Sequence, residues 1–325
     1  MASGEDDLIA RYFRPLATDP GAFGLVDDAA LLKSSGGDLV VTTDAIVEGV
    51  HFLAGDPPDT LARKALRVNL SDLAAKGALP AGFVLTLALR EARDEWLASF
   101  ARALGEDAVG FGCPLLGGDT VSTPGPLMIS ITAFGRVPPG RMVHRDRAKV
   151  GDRIAVTGTI GDAALGLRVL KGQIAGEGLD ASARDFLVHR YRVPQPRNAL
   201  ALVIRDHASA AMDVSDGLAG DLAKLCAASG VSAVVEMAAV PLSDPARAVV
   251  GGGLVGIEVP VTGGDDYEVI CSIPENRWQS FTAAAQLAGV QVSSIGRVTA
   301  GSDRPRFLDA AGELVVLKRL SYSHF

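Results

Sequence analysis

Residues 60–89 read TLARKALRVNLSDLAAKGALPAGFVLTLAL, and the fold class follows from this stretch. Its first half carries Leu66, Leu70, Leu73 and Ala74 at three- and four-residue spacing, the periodicity of a helix with one buried face. The pattern predicts a helix from Thr60 to Lys76, with Thr60 as N-cap and Gly77 as stop. The apolar run Phe83–Leu89 then reads as a strand. The same order recurs at residues 215–235, SDGLAGDLAKLCAASGVSAVV, where a helix over Asp216–Ser229 stops at Gly230 and a strand follows over Val231–Glu236. Further strands are predicted at Asp38–Thr43, Leu127–Gly135, Arg153–Thr157 and Val269–Ile273, and a further helix at Arg93–Gly110. Strands alternating with amphipathic helices define an α/β chain. The likeness of the two segments is too faint to establish an internal duplication.

The 325 residues suffice for two domains of ordinary size. VPPGRMVHRDRAKV, residues 137–150, interrupts the alternation with Pro-Pro-Gly and basic residues, which sets the expected domains at 1–140 and 141–325. Lys and Arg number 31 against 38 Asp and Glu, a net charge of −7. A broad nucleic-acid or anionic-membrane surface needs a positive field and is thereby excluded. Hydrophobic residues at 48% with 21% charged exclude wholesale disorder. Cys113, Cys226 and Cys271 are too widely spaced for a CxxC pair or a disulfide framework, which points to a reducing compartment. The opening MASGEDDLIARYF has acids where a secretory signal is basic, and no apolar stretch approaches the ~20 residues of a membrane span. A cytoplasmic protein with no membrane or nucleic-acid partner is the expectation.

No GxxxxGK[ST] segment, GxSxG elbow or HExxH spacing occurs. Gly251, Gly253 and Gly256 satisfy GxGxxG, but without the helix and the distant acid of a dinucleotide site they read as a loop. What stands out is carboxylates at the ends of apolar strands or inside apolar helices. Asp27 and Asp28 precede AALL, Asp44 ends LVVTTD, Asp72 lies in VNLSDLAA, Asp119 follows LLGG, Asp213 and Asp216 flank VS, and Asp265 and Asp266 follow TGG. Each has an ordinary explanation: Asp72 and Asn69 as an exposed polar pair on one helix face, Ser215 or Asp216 as a helix cap, and the Gly-Gly-Asp segments as turns. Together they imply more, because converging carboxylates repel unless cations sit among them. Magnesium with phosphate oxygens is the usual partner of such a set, and phosphoryl transfer needs that neutralisation. Glycines beside the acids are expected to bring backbone N–H groups close to phosphate.

TTDAIVEGVHF (42–52), KALRVNLSDLAAKGALP (64–80), LLGGDT (115–120), MDVSDGLAGDL (212–222) and GGDDYEV (263–269) resemble, in order, the blocks of the thiamine-monophosphate kinase family. The likeness runs from GEDDLIARYF at Gly4 to SYSHF at the C-terminus. VEGVHF and NLSDLAA are the blocks particular to that branch of the aminoimidazole ribonucleotide synthetase-like superfamily, which also includes selenophosphate synthetase and a hydrogenase-maturation dehydratase. The reactive cysteines of those two relatives have no counterpart here.

The resemblance implies a two-domain synthetase-like α/β (α+β) fold, with an N-terminal domain whose strands form a β-barrel across a homodimer and a C-terminal α/β domain. It implies a kinase that uses ATP and several Mg2+ ions to convert thiamine monophosphate into thiamine diphosphate, leaving ADP. By matching position, Asp28, Thr42, Thr43, Asp44, Asp72, Asp119, Asp213 and Asp216 would hold magnesium directly or through water. Gly118, Asp119, Arg145 and Ser215 would contact ATP, and His51, Asp265 and Tyr322 would contact thiamine monophosphate. No residue matches a general base. An ionised phosphate acceptor needs none, since positioning and charge neutralisation supply the catalysis.

Outside the resemblance, Arg145 reads as an exposed linker arginine and Tyr322 as an anchor for the tail, while His51 reads as readily as a satisfied core histidine as a ligand contact. The chain departs from the family pattern in four places. Gly24-Leu25-Val26-Asp27-Asp28 lacks a glycine beside the acids, Arg145–Asp152 differs from the usual block, Lys76 replaces a methionine, and Asp265 replaces a glutamate. Two other readings remain open: a different ATP-using relative, and a metal or nucleotide sensor that keeps the fold without turnover.

Overall fold

The structure, a computed structural model, describes residues 8–25, 32, 36–174 and 179–321. Two compact units make up the chain, Met1–Leu73 with Ala78–Gly140, and Ala74–Gly77 with Arg141–Phe325.

The first unit contains β1 (Asp38–Val47), α1 (Pro58–Ala75), β2 (Leu79–Leu89), α2 (Asp94–Gly110), β3 (Leu115–Ser122) and β4 (Met128–Val137). Its sheet has the order β1-β4-β2-β3, with β2 and β3 parallel and the other pairs antiparallel. Parallel pairing of β2 with β3 follows from the α2 crossover between them. Leu66, Leu70 and Leu73 of α1 are fully buried, and a Cβ on Gly135 of β4 would meet the Leu73 side chain at 2.9 Å. Helix and strand therefore pack here without clearance. Gly77 stops α1 with φ 68°, as expected, but the helix begins at Pro58. Thr60 is inside the first turn, and its hydroxyl donates to the Pro57 carbonyl rather than capping. The segment Gly117–Thr120 is part of strand β3, not a turn.

The second unit contains β5 (Arg153–Thr157), α3 (Asp162–Leu170), α4 (Ala181–Arg192), α5 (Ala201–His207), β6 (Ala210–Val214), α6 (Leu218–Ser229), β7 (Ser232–Glu236), α7 (Asp244–Gly251), α8 (Glu258–Thr262), β8 (Glu268–Ile273), α9 (Trp278–Leu287), β9 (Val292–Thr299) and β10 (Arg306–Leu308). Its six-stranded mixed sheet runs β10-β7-β9-β5-β8-β6. Strand side chains alternate between two cores. Ile154, Val156, Met212, Val214 and Ile270 share one with Leu218, Leu222 and Leu225 of α6. Ala155, Ala211, Val269, Cys271 and Ile273 share the other with Ile204 of α5 and Phe281 of α9. Antiparallel pairing of β6 with β8 sets Val214 opposite Glu268, so the loop leaving β6 and the loop entering β8 are neighbours. The GxGxxG stretch is the end of α7 and a following turn, with no strand before it.

Among the described residues no helix is long and apolar enough to cross a membrane. All three cysteines are free and buried, and burial pushes the Cys113 and Cys271 thiols up to about 12.

Candidate functional site

In the first unit, β1 and α1 set out one group of predicted residues. The Thr42 hydroxyl donates to Asp72 Oδ2 at 2.5 Å, joining the strand to the helix. Alternation puts Thr43 on the opposite face, where its hydroxyl donates to the Ile131 carbonyl and accepts from Thr132. Asn69 is not exposed beside Asp72 as expected. It is fully buried, its amide donates to the Ala65 carbonyl, and its Oδ1 has no partner. His51 accepts the Val47 N–H on Nδ1 at 3.0 Å, so its neutral ring carries the proton on Nε2. The His51 carbonyl accepts from the ammonium of buried Lys64.

Gly118 and Asp119 lie on β3 at the far edge of the same sheet. A Cβ at Gly118 would stand 2.0 Å from the Leu85 carbonyl oxygen, so no other residue fits that position without moving the strand. Asp119 is exposed and registers with Thr86 of β2. Asp44 registers with Ile131 of β4, which registers with Leu85. Asp44 and Asp119 are therefore on opposite edge strands with two strands between them, a span of about 14 Å at the usual strand spacing.

In the second unit, the loop after β6 is organised by a residue that sequence reasoning missed. Asp221, fully buried in the first turn of α6, accepts the N–H groups of Ser215, Asp216 and Gly217 on one oxygen, at 3.0, 2.9 and 3.1 Å. Neither Ser215 nor Asp216 caps the helix; Gly217 occupies that position, with φ 124°. The expectation that glycine-flanked N–H groups would face phosphate fails at this loop, because all three are spent on Asp221. What the loop offers a ligand is oxygen, the donor type that suits a hard cation. Burial pushes the Asp221 carboxyl above its ordinary pKa, and Lys224, donating to its other oxygen at 2.9 Å, works against that. The signal for Asp221 was present, an acid inside the apolar helix LAGDLAKL.

The loop entering β8 is hydrogen-bonded to the first loop. Asp265 N–H donates to the Ser215 carbonyl at 2.7 Å and Tyr267 N–H to the Val214 carbonyl at 2.8 Å. A Cβ on Gly264 would lie 2.5 Å from the Ser215 carbonyl oxygen. Asp265 and Tyr267 both hold left-handed backbone, φ 73° and 51°, which costs a non-glycine residue about 1 kcal/mol or more and collects at functional sites. The Tyr267 hydroxyl donates to Asp265 Oδ1 at 3.4 Å.

Under this loop is a buried network, of which the sequence had singled out only Asp266. Asp266 accepts the Gly161 and Ala163 N–H groups at the start of α3. Glu268 accepts from Thr157, Arg190 and Arg197, and Asp162 from Thr159 and Ser243. Burial drives the Asp266 carboxyl well above its usual range and raises Asp162 as well. The constraint on Gly263–Tyr267 is thus built from below, by buried hydrogen-bonding groups that cannot be withdrawn without leaving others unpaired.

Arg145 is exposed; its carbonyl accepts from Ser229 at the end of α6, and Ser229 in turn accepts the Ala148 N–H. Asp28 and Tyr322 lie outside the described residues, though Ser321 packs where a Cβ on Gly220 of α6 would be. Asp213 is buried at the end of β6. Among the described residues no three His, Cys, Asp or Glu side chains are grouped to hold a metal ion.

Two family models match this arrangement, the AIR synthase related protein N-terminal domain over residues 26–137 and the C-terminal domain over 149–306. The class is therefore the two-domain AIR synthase-related fold. A thiamine-monophosphate kinase of Caulobacter vibrioides is 45% identical, covering 98% of this chain and 90% of its own length. The crystal structure of thiamine-monophosphate kinase from Stenotrophomonas maltophilia superposes with a TM-score of 0.84 at 36% identity, over 95% of this chain and 96% of that one. AaThiL complexed with AMPPCP and TMP superposes with a TM-score of 0.78 at 30% identity, over 94% and 97% of the two chains. Within that class, the chain belongs to the thiamine-monophosphate kinase family.

Proposed function

We propose that this chain transfers the γ-phosphoryl group of ATP to the phosphate of thiamine monophosphate, giving thiamine diphosphate and ADP. The observation that carries the reading is the paired loops, Ser215–Gly217 gathered on buried Asp221 and Gly263–Tyr267 with Asp265 and Tyr267 in left-handed backbone, in a chain alike over its full length to kinases of this name. Ser215 and Arg145 meet the nucleotide in this reading, with Gly118 and Asp119 on β3; His51, Asp265 and Tyr322 meet the thiamine phosphate.

The residues fit magnesium by donor chemistry, since carboxylates and hydroxyls are its usual ligands and the loop after β6 presents oxygen rather than N–H. Asp28, Thr42, Thr43, Asp44, Asp72, Asp119, Asp213 and Asp216 would hold it. Bound there, magnesium supplies charge neutralisation for the polyphosphate. Thr42 orients Asp72, Asp221 fixes the backbone of Ser215–Gly217, and the Asp266 network supports the loop that carries Asp265. No side chain has to remove a proton, because the acceptor phosphate is already ionised.

The active form in this proposal is a homodimer. Leu39 and Val41 on β1 and Val121 on β3 are 48%, 55% and 42% exposed, an apolar face that closing the sheet against a second copy would cover. Edge-to-edge closure that sets β1 of one copy beside β3 of its partner would bring the strand that carries Asp44 beside the strand that carries Asp119, which a single sheet keeps apart.

Purified protein given ATP, magnesium and a panel of phosphorylated acceptors should form thiamine diphosphate from thiamine monophosphate. ADP formation with other acceptors and none with this one would overturn the reading.

A further inference from the structure

The Lys224 ammonium is shared between two carboxylates, donating to Asp216 Oδ2 at 2.5 Å and to Asp221 Oδ1 at 2.9 Å. The two differ sharply in access. Asp221 is fully buried, whereas the Asp216 side chain is 34% exposed and Lys224 43%. An incoming hydrated cation can reach Asp216 and cannot reach Asp221. The three N–H groups that hold the loop go to Asp221, not to Asp216. Withdrawing Lys224 from Asp216 therefore leaves the loop's backbone in place and the ammonium still paired.

From this geometry we infer that Lys224 is a built-in counter-cation of the loop, which occupies Asp216 in the free protein and yields it to a divalent cation while remaining on Asp221. The inference rests on the kinase reading of this loop and adds a residue that sets its cation affinity. A lysine suits the role because its single charge sits on a flexible four-carbon stem that can move from one partner to the other. Arginine, with a planar fork and a fixed charge, would hold both acids at once.

Competition of this kind has a distinctive signature. Removing Lys224 takes away a stabilising ion pair, yet it strengthens cation binding. The probe is Mn2+ alone, titrated into the full chain without nucleotide, with free Mn2+ read by its paramagnetic resonance signal. Lys224→Met should bind one Mn2+ about three- to tenfold more tightly than the parent, the scale of a partly exposed charge pair. Lys224→Arg should bind it no more tightly than the parent. In an Asp216→Asn background, Lys224→Met should change nothing, because the contested ligand is gone. Lys224→Gln serves equally if the methionine variant does not fold.

Unchanged or weaker Mn2+ binding by the folded Lys224 variants, or a gain that survives in Asp216→Asn, would overturn the inference. If the parent meanwhile converts thiamine monophosphate normally, only the role of Lys224 is lost. A parent that neither binds Mn2+ nor turns over that substrate would overturn both.

Discussion

Asp221 never touches substrate in the proposed reaction, and the acids around it depend on it. One oxygen collects three consecutive N–H groups and the other takes Lys224, so the loop carrying Asp216 is preformed before any ligand arrives. Asp221→Ala leaves those donors without their acceptor, which should lower unfolding free energy by about 2–4 kcal/mol. Asp72→Asn behaves differently. It keeps an acceptor for Thr42 and removes only charge, so denaturant unfolding should be nearly unchanged while turnover falls about 100-fold, or about 2.7 kcal/mol of barrier. Equal loss of stability and turnover in both variants would contradict this separation of roles. Asp72 was legible in the sequence because charge inside an apolar helix is conspicuous. Asp221 met the same criterion, yet its importance lies in which backbone groups it faces, and no spacing rule reports that.

The helices and strands with strong periodicity were readable to within a few residues. β5 was read at its observed bounds, Arg153–Thr157, and α2 begins at Asp94 where the sequence suggested Arg93. β3 was not readable, since Gly117-Gly118-Asp119 has the composition of a turn and becomes a strand only through its pairing with β2. The link between β8 and α3 was likewise invisible, because Asp266 is 103 and 105 positions from the N–H groups it receives. That link sets a pH dependence. Burial first, then the neighbouring Asp162 charge, raises the folded-state pKa of Asp266, while the Gly161 and Ala163 N–H groups lower it in part. The folded chain therefore holds protons that the unfolded chain releases. The stability this contributes is fully present below the ordinary pKa of 3.8 and is lost as pH rises through the raised value. Glu275 acts in the opposite sense on the surface, drawn down to about 2 by Arg153 and Arg297, so its contribution is lost as pH falls. As pH rises above 3.8, melting temperatures should fall more steeply in the parent than in Asp266→Asn; parallel curves would contradict the assignment.

For the chain as a whole, the α/β class was legible from the alternation of elements and the two domains from the length and the segment 137–150, while the placing of Asp44 and Asp119 on opposite sheet edges was not. The first unit sets Asp44 and Asp119 on opposite edges of one sheet, and a reading of one chain's sequence has no means of showing which edge meets which. The proposed dimer makes a specific prediction. Asp44→Asn and Asp119→Asn should each be inactive alone, but mixed subunits should regain about a quarter of parental turnover, because half of the dimers are mixed and each has one intact site. No recovery after subunit exchange, confirmed by the presence of mixed dimers, would place both acids in the same chain's site.

The proposed reaction is direct phosphoryl transfer to a phosphate acceptor. Its most direct measurement uses ATP labelled in the γ-phosphate, with magnesium and thiamine monophosphate, and locates the label in the products. Label should appear in the terminal phosphate of thiamine diphosphate, in amounts equal to the ADP formed. Label released as inorganic phosphate, with the thiamine monophosphate unchanged, would contradict it.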